Sequence, residues 1–324
     1  MFIKHLASAL RHALAISAFL LAGAAAGQDY KGPITIVVGV PAGGSMDMFA
    51  RTFAEKLPKL LGQPVVVDNR TGAGGQIAAR YVKGAPADGS VLFFTSGHTA
   101  VTVPLILKAP GFDPATDFKP ISPLATYDFA VVVHPKTQAT TLKELFEYYA
   151  RVPNDRSMGV PAPGSVPEFI VGSMAQLFKT DIQPVAYRGA APLNLDLIGG
   201  QVTAAVTSIA DILQYVKSGQ LRVVAVTNAT PLLPDAPTLS SLGFQQLAVG
   251  DFWGLWAPAG ISNANAMRVN AAMQQVLAMP DVADKMRQYG QLPAPGTPDD
   301  LLKRYKSYDV AVKSLIKAVD YKPQ

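Results

Sequence analysis

The chain of 324 residues contains no cysteine. This absence excludes disulfide bonds, thiolate metal sites and a cysteine nucleophile. It also excludes the lipid-bearing cysteine by which many exported proteins are tethered to a membrane. If the chain is exported, we therefore expect the mature protein to diffuse freely.

Charge and histidine are also scarce. Charged residues make up 16% of the chain, and the formal net charge is only +5. Because the basic residues are scattered, nucleic acid is not an expected partner. Of the four histidines, only His98 and His134 lie beyond the N-terminal segment, and we expect each to be a surface or loop residue rather than a catalyst. No His-Glu-x-x-His or Gly-x-Ser-x-Gly motif occurs, so we expect no metal site, cofactor or catalytic residue.

The first 26 residues have the organisation of a cleavable signal peptide. Lys4 and Arg11 form a basic start, residues 13–23 are apolar, and an alanine run at 24–26 offers small residues for cleavage. A membrane anchor is the weaker alternative, because the apolar run is shorter than the ~20 residues that a span needs. We expect export to the periplasm of a Gram-negative bacterium.

Two glycine-rich turns each follow a β-branched run and precede a helix-like segment. They occupy residues 40–47 (VPAGGSMD) and 68–75 (DNRTGAGG). A turn that opens a helix leaves backbone N–H groups unpaired at the positive end of the helix dipole. Because this geometry suits an anion, the pattern predicts loops that hold a negatively charged group.

The alternation of strand-like and helix-like segments predicts an α/β fold with two doubly wound sheets. Such sheets bind ligands beyond the carboxyl ends of their strands. A proline-rich stretch at residues 108–123 is expected to be irregular. The chain leaves the first lobe near Phe129 and returns near Phe252, so we expect a hinge crossed twice and a cleft that closes by rigid-body motion. The predicted parts are the signal peptide at 1–26, lobe 1 at 27–127 and 251–324, and lobe 2 at 128–250.

Short segments along nearly the whole mature chain carry a family resemblance. They are residues 41–47, 69–75, 87–89, 113–114 with 117–118, 187–192, 196–202, 219–222, 233–238 and 253–260. Each is weak alone, but their order and spacing are specific. Together they resemble the Bug or TctC family, the extracytoplasmic substrate-binding receptors of tripartite tricarboxylate transporters.

The resemblance implies a two-lobed periplasmic-binding fold of type II, a small carboxylate ligand and delivery to membrane permease subunits. It also implies that backbone N–H groups of loops from both lobes hold one ligand carboxylate. We expect a monomer without a cofactor, and we expect Asp47 to cap its helix rather than to contact the ligand. From the resemblance and from their place at strand ends, the predicted ligand-binding residues are Ala42, Gly43, Gly44, Ser45, Met46, Asp47, Ser96, Thr99, Gly164, Ser165, Tyr187, Thr207, Ser208 and Asp211.

The loop of the second lobe departs from the family's pattern. Where the family has Gly-Ser-Ser-Gly-x-Gly-Ser followed by His, this chain has GVPAPGS at residues 159–165 and then Glu168. Hydroxyl donors are replaced by Val and Pro, and proline supplies no N–H. Met46 stands where Ser or Thr is common, and Val40 where Phe is. A pocket with fewer donors predicts aromatic or longer-chain monocarboxylates rather than the usual dicarboxylates. Glu168 is expected to favour its helix dipole, with a ligand ammonium as its alternative partner.

Two other functions are considered. The hypothesis of an exported enzyme is supported only by residues 72–77, a glycine-rich segment that follows a strand as a dinucleotide-binding fingerprint does. The sixth residue there is Ile77 rather than Gly or Ala, and an exported protein would seldom meet NAD. A sensory receptor that docks on a membrane histidine kinase is the other alternative, and the sequence does not separate it from transport.

Overall fold

The computed structural model describes residues 32–323, and the predicted signal peptide lies outside them. Within this range the strands form a six-stranded and a five-stranded sheet. The strands are β1 (Ile34–Val38), β2 (Val65–Asn69), β3 (Val91–Ser96), β4 (Phe118–Tyr127), β5 (Phe129–Val133), β6 (Ser157–Val160), β7 (Gln183–Ala186), β8 (Ala204–Ser208), β9 (Arg222–Val226), β10 (Asp251–Pro258) and β11 (Leu292–Pro293).

Helices connect most of these strands and cover the sheets. The α-helices are α1 (Ser45–Lys56), α2 (Pro58–Leu61), α3 (Gln76–Lys83), α4 (Val103–Ile106), α5 (Pro114–Asp117), α6 (Leu142–Arg151), α7 (Val166–Leu177), α8 (Ala190–Ile198), α9 (Ile209–Lys217), α10 (Asn263–Leu277), α11 (Pro280–Gln288) and α12 (Pro298–Ala318). None of these helices is long and apolar enough to cross a bilayer.

The first sheet has the strand order β11-β4-β10-β3-β1-β2. Its strand β1 runs parallel to β2 and β3, whereas β10 runs antiparallel between β3 and β4. Ile34, Ile36, Val37 and Val38 of β1 are fully buried. Both faces of this strand are therefore covered, which explains its continuous apolar sequence.

The second sheet has the order β7-β6-β8-β5-β9. Here β6 runs parallel to β7 and β8, and β5 runs antiparallel to β8 and β9. Only Asp128 separates β4 of the first sheet from β5 of the second. The chain returns to the first sheet at β10. Each strand that follows a crossing thus joins its new sheet in the antiparallel direction, and the predicted α/β fold with two sheets is confirmed, with both sheets mixed.

The expectation of an irregular proline-rich stretch is wrong from residue 118 onward, where β4 begins. Pro123 lies opposite Gly254 and Pro120 opposite Trp256, and the ladder with β10 is shifted next to both pairs. Proline cannot donate to a ladder, so it is tolerated where a bulge interrupts regular pairing. The bulges allow a strand that the proline content alone argues against.

The C-terminal helix α12 packs against β4 of the first sheet and against α7, which covers the second sheet. Its buried residues Leu301, Val312 and Leu315 belong to one apolar cluster that also contains Phe93 of β3 and Val131 of β5. Just beyond the helix, the ring of Tyr321 lies 5.3 Å from that of Phe169 in α7. The end of the chain therefore connects the two halves of the molecule.

Asn270 in α10 provides a test of this packing. Its side chain is 1% exposed, and Nδ2 donates to the carbonyls of Ile121 at 2.9 Å and Gly296 at 2.8 Å. We expect Asn270→Ala to lower the free energy of unfolding by about 2–4 kcal/mol, because the buried carbonyl of Ile121 and the partly buried carbonyl of Gly296 both lose their donor. Denaturant unfolding of this variant and of Gln275→Ala, an exposed position on the same helix, measures the effect. Equal small losses in the two variants would contradict the assignment.

Candidate functional site

A cavity of about 360 Å³ lies where the two sheets meet. From the first sheet it is lined by Ser96 at the end of β3 and Trp253 in β10, and from the second by Pro161 after β6 and Ser208 at the end of β8. Ser96, Pro161 and Ser208 lie at or just after the carboxyl ends of parallel strands, where open α/β sheets bind ligands.

Three helices begin at this cavity. The lining includes residues 44–46 at the start of α1, residues 165–167 at the start of α7, and Ser208, Ala210 and Asp211 at the start of α9. The first N–H groups of a helix have no acceptor within the helix, and the helix dipole is positive at that end. Three such ends around one cavity form a site suited to an anion.

The loops before α1 and α7 are fixed by the same device. Gly43 N–H donates to Asp47 Oδ2 at 2.9 Å, and Gly164 N–H donates to Glu168 Oε2. Both glycines have positive φ, +90° and +65°, a conformation that L side chains rarely adopt. Each first-turn carboxylate thus accepts the N–H four residues before it, and neither lines the cavity. The expectation that Asp47 is an N-cap is wrong, because α1 begins at Ser45 with Gly44 as its cap.

Asp47 also ties the two glycine-rich turns together. Its Oδ1 accepts a hydrogen bond from Asn69 Nδ2 at 2.8 Å, and its Oδ2 accepts one from Arg51 Nε at 3.1 Å. Burial alone would raise the pKa of Asp47, but the hydrogen bonds from Arg51, Gly43 and Asn69 outweigh it and hold the pKa below its usual value. Asn69 Nδ2 donates to Val40 O as well, so the second turn positions the first.

The second glycine-rich turn packs against the segment that follows β3, not against the cavity. Thr99 Oγ1 donates to Gly74 O at 2.8 Å, and a Cβ on Gly75 would lie 2.6 Å from Thr99 Oγ1. Gly75 has φ +92°. The glycines of this turn therefore serve close packing between backbone and side chain.

The structure places half of the predicted binding residues at the cavity. Those that line it are Gly44, Ser45, Met46, Ser96, Ser165, Ser208 and Asp211. Those outside the lining are Ala42, Gly43, Asp47, Thr99, Gly164, Tyr187 and Thr207. Among the latter, Tyr187 Oη donates to Asp196 Oδ2 at 2.8 Å, and Thr207 is fully buried in β8. Ligand binding by any of these residues stays a prediction.

Several lining residues were missed by sequence reasoning. They include His98, Tyr127, Phe129, Asp251, Gln291 and Tyr308. Tyr127 and Asp251 face each other in the register of β4 and β10. Both residues flank the points where the chain is expected to cross between the lobes. That position is the feature of the sequence from which they could have been predicted as lining residues.

Asp251 is the buried carboxylate at this crossing, 6% exposed. Tyr127 Oη donates to its Oδ2 at 2.8 Å, and Phe252 N–H donates to its Oδ1 at 2.6 Å. Desolvation raises the pKa of Asp251 to about 6. Hydrogen bonds from Tyr127 and from the amides of Phe252, Gly97 and His98 act in the opposite direction and lower the pKa, but they do not outweigh the desolvation. The carboxylate is thus held in the wall by donors from three neighbouring segments.

The remaining ionisable groups give the wall no permanent positive side chain. No lysine or arginine of residues 32–323 lines the cavity. Desolvation lowers the pKa of His98 to about 4, so this imidazole is neutral near pH 7. Desolvation also raises the pKa of Asp211 to about 6. The groups at the cavity that favour an anion are therefore the backbone N–H groups at the helix starts. The described residues hold no cluster of metal ligands.

The raised pKa of Asp211 predicts a pH-dependent stability effect. Between about pH 4 and pH 6 the folded state keeps a proton that the unfolded state has lost, so this stabilising contribution disappears as the pH rises through 6. We expect Asp211→Asn to match the natural protein near pH 4 and to be more stable by about 2 kcal/mol at pH 7.5. Denaturant unfolding across this range measures the difference, with the exposed Asp235→Asn as control. A difference independent of pH would show that Asp211 is not desolvated.

Comparison with known proteins agrees with the geometry of this cavity. Residues 49–320 match the family model described as tripartite tricarboxylate transporter family receptor. The chain is 31% identical to a UPF0065 protein of Bordetella bronchiseptica over 293 residues, which cover 90% of this chain and 87% of that protein.

Two solved structures are similar over almost the whole described chain. Rpa4515 of R. palustris, solved with adipate, is 28% identical with a TM-score of 0.82, and the periplasmic binding protein BugD is 28% identical with a TM-score of 0.79. Each match covers 91% of this chain and 100% of the other. The family resemblance is thereby confirmed. The prediction that the protein is a receptor rather than an enzyme is also confirmed. This chain belongs to the family of tripartite tricarboxylate transporter receptors.

Proposed function

We propose that the protein is a periplasmic receptor that captures a small carboxylate between two lobes and delivers it to the permease subunits of a tripartite transporter. The observation that carries this proposal is the convergence of three helix N-termini on one cavity. The adipate in the similar Rpa4515 structure supports a carboxylate. The signal-peptide pattern and the lack of a lipid-acceptor cysteine support a freely diffusing periplasmic protein.

The ligand carboxylate would lie at the starts of α1 and α7. Backbone N–H groups of residues 44–46 and 165–166 would donate to it, together with the hydroxyl of Ser45. Hydrogen bonds to an ionised acceptor are about twice as strong as neutral ones. The apolar body of the ligand would contact Met46, Phe129 and Trp253, which line the same cavity.

The two sheets would act as the two lobes, with the crossings beside Asp128 and before Asp251 as the hinge. A contact across the lobes lies beside the site, since a Cβ added to Gly164 would clash with Ile106 Cδ1. Gly164 belongs to the loop before α7, so this contact would form only when the lobes are closed. Closure then favours binding through contacts that the open form lacks.

Gly44→Asp tests the anion site. Gly44 has φ −75°, and the nearest atom to an added Cβ is Pro41 O at 3.8 Å, so the backbone accepts a side chain here. Asp is also a good N-cap, so we expect the fold to be retained. The new carboxylate would repel that of the ligand, and calorimetry should show at least ~100-fold weaker carboxylate binding.

Gly44→Asn is the matched control, since it has the same shape and capping ability without the charge. Its affinity should fall less than that of Gly44→Asp. Unchanged affinity in Gly44→Asp would refute the position of the anion site.

Pro161→Ser tests how the second loop selects its ligand. Pro161 lines the cavity but has no N–H to donate. A serine would restore an N–H and add a hydroxyl, so we expect the ratio of affinities for malate over hexanoate to rise about fivefold. Pro163→Ser, in the same loop but outside the lining, should leave the ratio unchanged. If both variants rank the acids as the natural protein does, the loop does not set ligand polarity.

A further inference from the structure

One carboxylate in the cavity wall has no partner. Asp211 lies in the first turn of α9 and lines the cavity, and its side chain forms no hydrogen bond or ion pair with any residue of the described chain. Its main-chain carbonyl is anchored by Asn194 Nδ2 at 2.8 Å. The turn that carries Asp211 is therefore held in place while its carboxylate stays open to the cavity.

The first-turn acids of α1 and α7, unlike Asp211, have hydrogen-bond donors within the protein. Asp47 and Glu168 each accept the N–H of a glycine four residues earlier, and their side chains lie outside the lining. The residue four before Asp211 is Thr207, which lies within β8 and pairs with Ala130 of β5. No glycine turn exists there to bind the carboxylate. Asp211 thus faces the ligand space with its hydrogen-bonding capacity unused.

The cavity wall holds a second unused acceptor, Gln291. Gln291 lines the cavity, is 2% exposed, and its Oε1 is buried without a hydrogen-bond partner. The adjoining Gly290 packs so closely on α9 that an added Cβ would lie 2.7 Å from Ala210 Cα. The buried amide oxygen and the open carboxylate therefore belong to the same part of the wall.

We propose that Asp211 and Gln291 together bind an ammonium group, and that the ligand is an amino carboxylate. This inference rests on the proposed function, because the carboxylate end of the ligand occupies the starts of α1 and α7. An ammonium has three donors and no acceptor, which matches two unpaired acceptors. A second carboxylate on the ligand would instead face Asp211 and Asp251, and no lysine or arginine among residues 32–323 lines the cavity to offset them.

The test uses pairs of probes that differ only in the ammonium group. Suitable pairs are L-phenylalanine with 3-phenylpropanoate, L-glutamate with glutarate, and 4-aminobutanoate with butanoate. Calorimetry on the full mature protein at pH 7.5 compares the natural sequence with Asp211→Asn, Gln291→Met and the exposed-charge control Asp235→Asn. We expect the ammonium member of at least one pair to bind ~10- to 100-fold more tightly than its partner. Asp211→Asn should remove this preference and Gln291→Met should reduce it, while Asp235→Asn preserves it.

The outcomes separate this inference from the function on which it rests. If deaminated acids bind as tightly as their amino counterparts, or if Asp211→Asn leaves the preference intact, the ammonium site is refuted and the carboxylate receptor stands. If no probe with a carboxylate binds, both proposals fail. Circular dichroism and thermal unfolding of each variant confirm that an affinity change does not reflect a lost fold.

Discussion

The arrangement of the two sheets depends on the hydrogen bonds that the buried carboxylate of Asp251 accepts. Its donors come from β4 through Tyr127, from β10 through Phe252, and from the end of β3 through the amides of Gly97 and His98. A Cβ added to Gly97 would clash with its Oδ1, so the backbone approach requires glycine. A carboxylate taken out of water is costly unless it is well hydrogen-bonded. These donors therefore fix the point where the chain leaves the first sheet relative to the point where it returns.

That fixed crossing determines what the cavity presents to a ligand. Strand ends on either side of it lead into α1, α7 and α9, and the starts of these helices are brought together. Because no lysine or arginine lines the cavity in residues 32–323, the attraction that we propose for an anion would come from oriented backbone groups. Such groups lose no side-chain entropy when they bind. The apolar remainder of the wall leaves only a few open polar atoms that could distinguish one ligand from another.

Local patterns predicted the parts of this site that depend on local geometry. The turn at residues 40–47 was found because glycines before a helix start have a direct backbone meaning. The second turn has the same pattern, but its glycines make room for Thr99, and a sequence does not show which atom a glycine admits. Tyr127 and Asp251 become partners only through the register of β4 with β10. Strand β4 itself was missed because its prolines are accommodated by bulges, which are properties of the pair of strands rather than of either one.

The contrast between Asp47 and Asp211 shows how one residue type serves opposite purposes at equivalent places. Both are first-turn aspartates beside the cavity, and both favour the helix dipole. Asp47 is surrounded by donors that hold its pKa low, so it stabilises the fold at neutral pH. Asp211 is desolvated without donors, so its charge costs stability at the same pH. A buried acceptor that the fold leaves unpaired is destabilising until a donor arrives. A ligand that supplies the donor would therefore remove this destabilisation when it binds. For this reason Asp211 is a stronger candidate for ligand discrimination than the hydrogen-bonded acids around it.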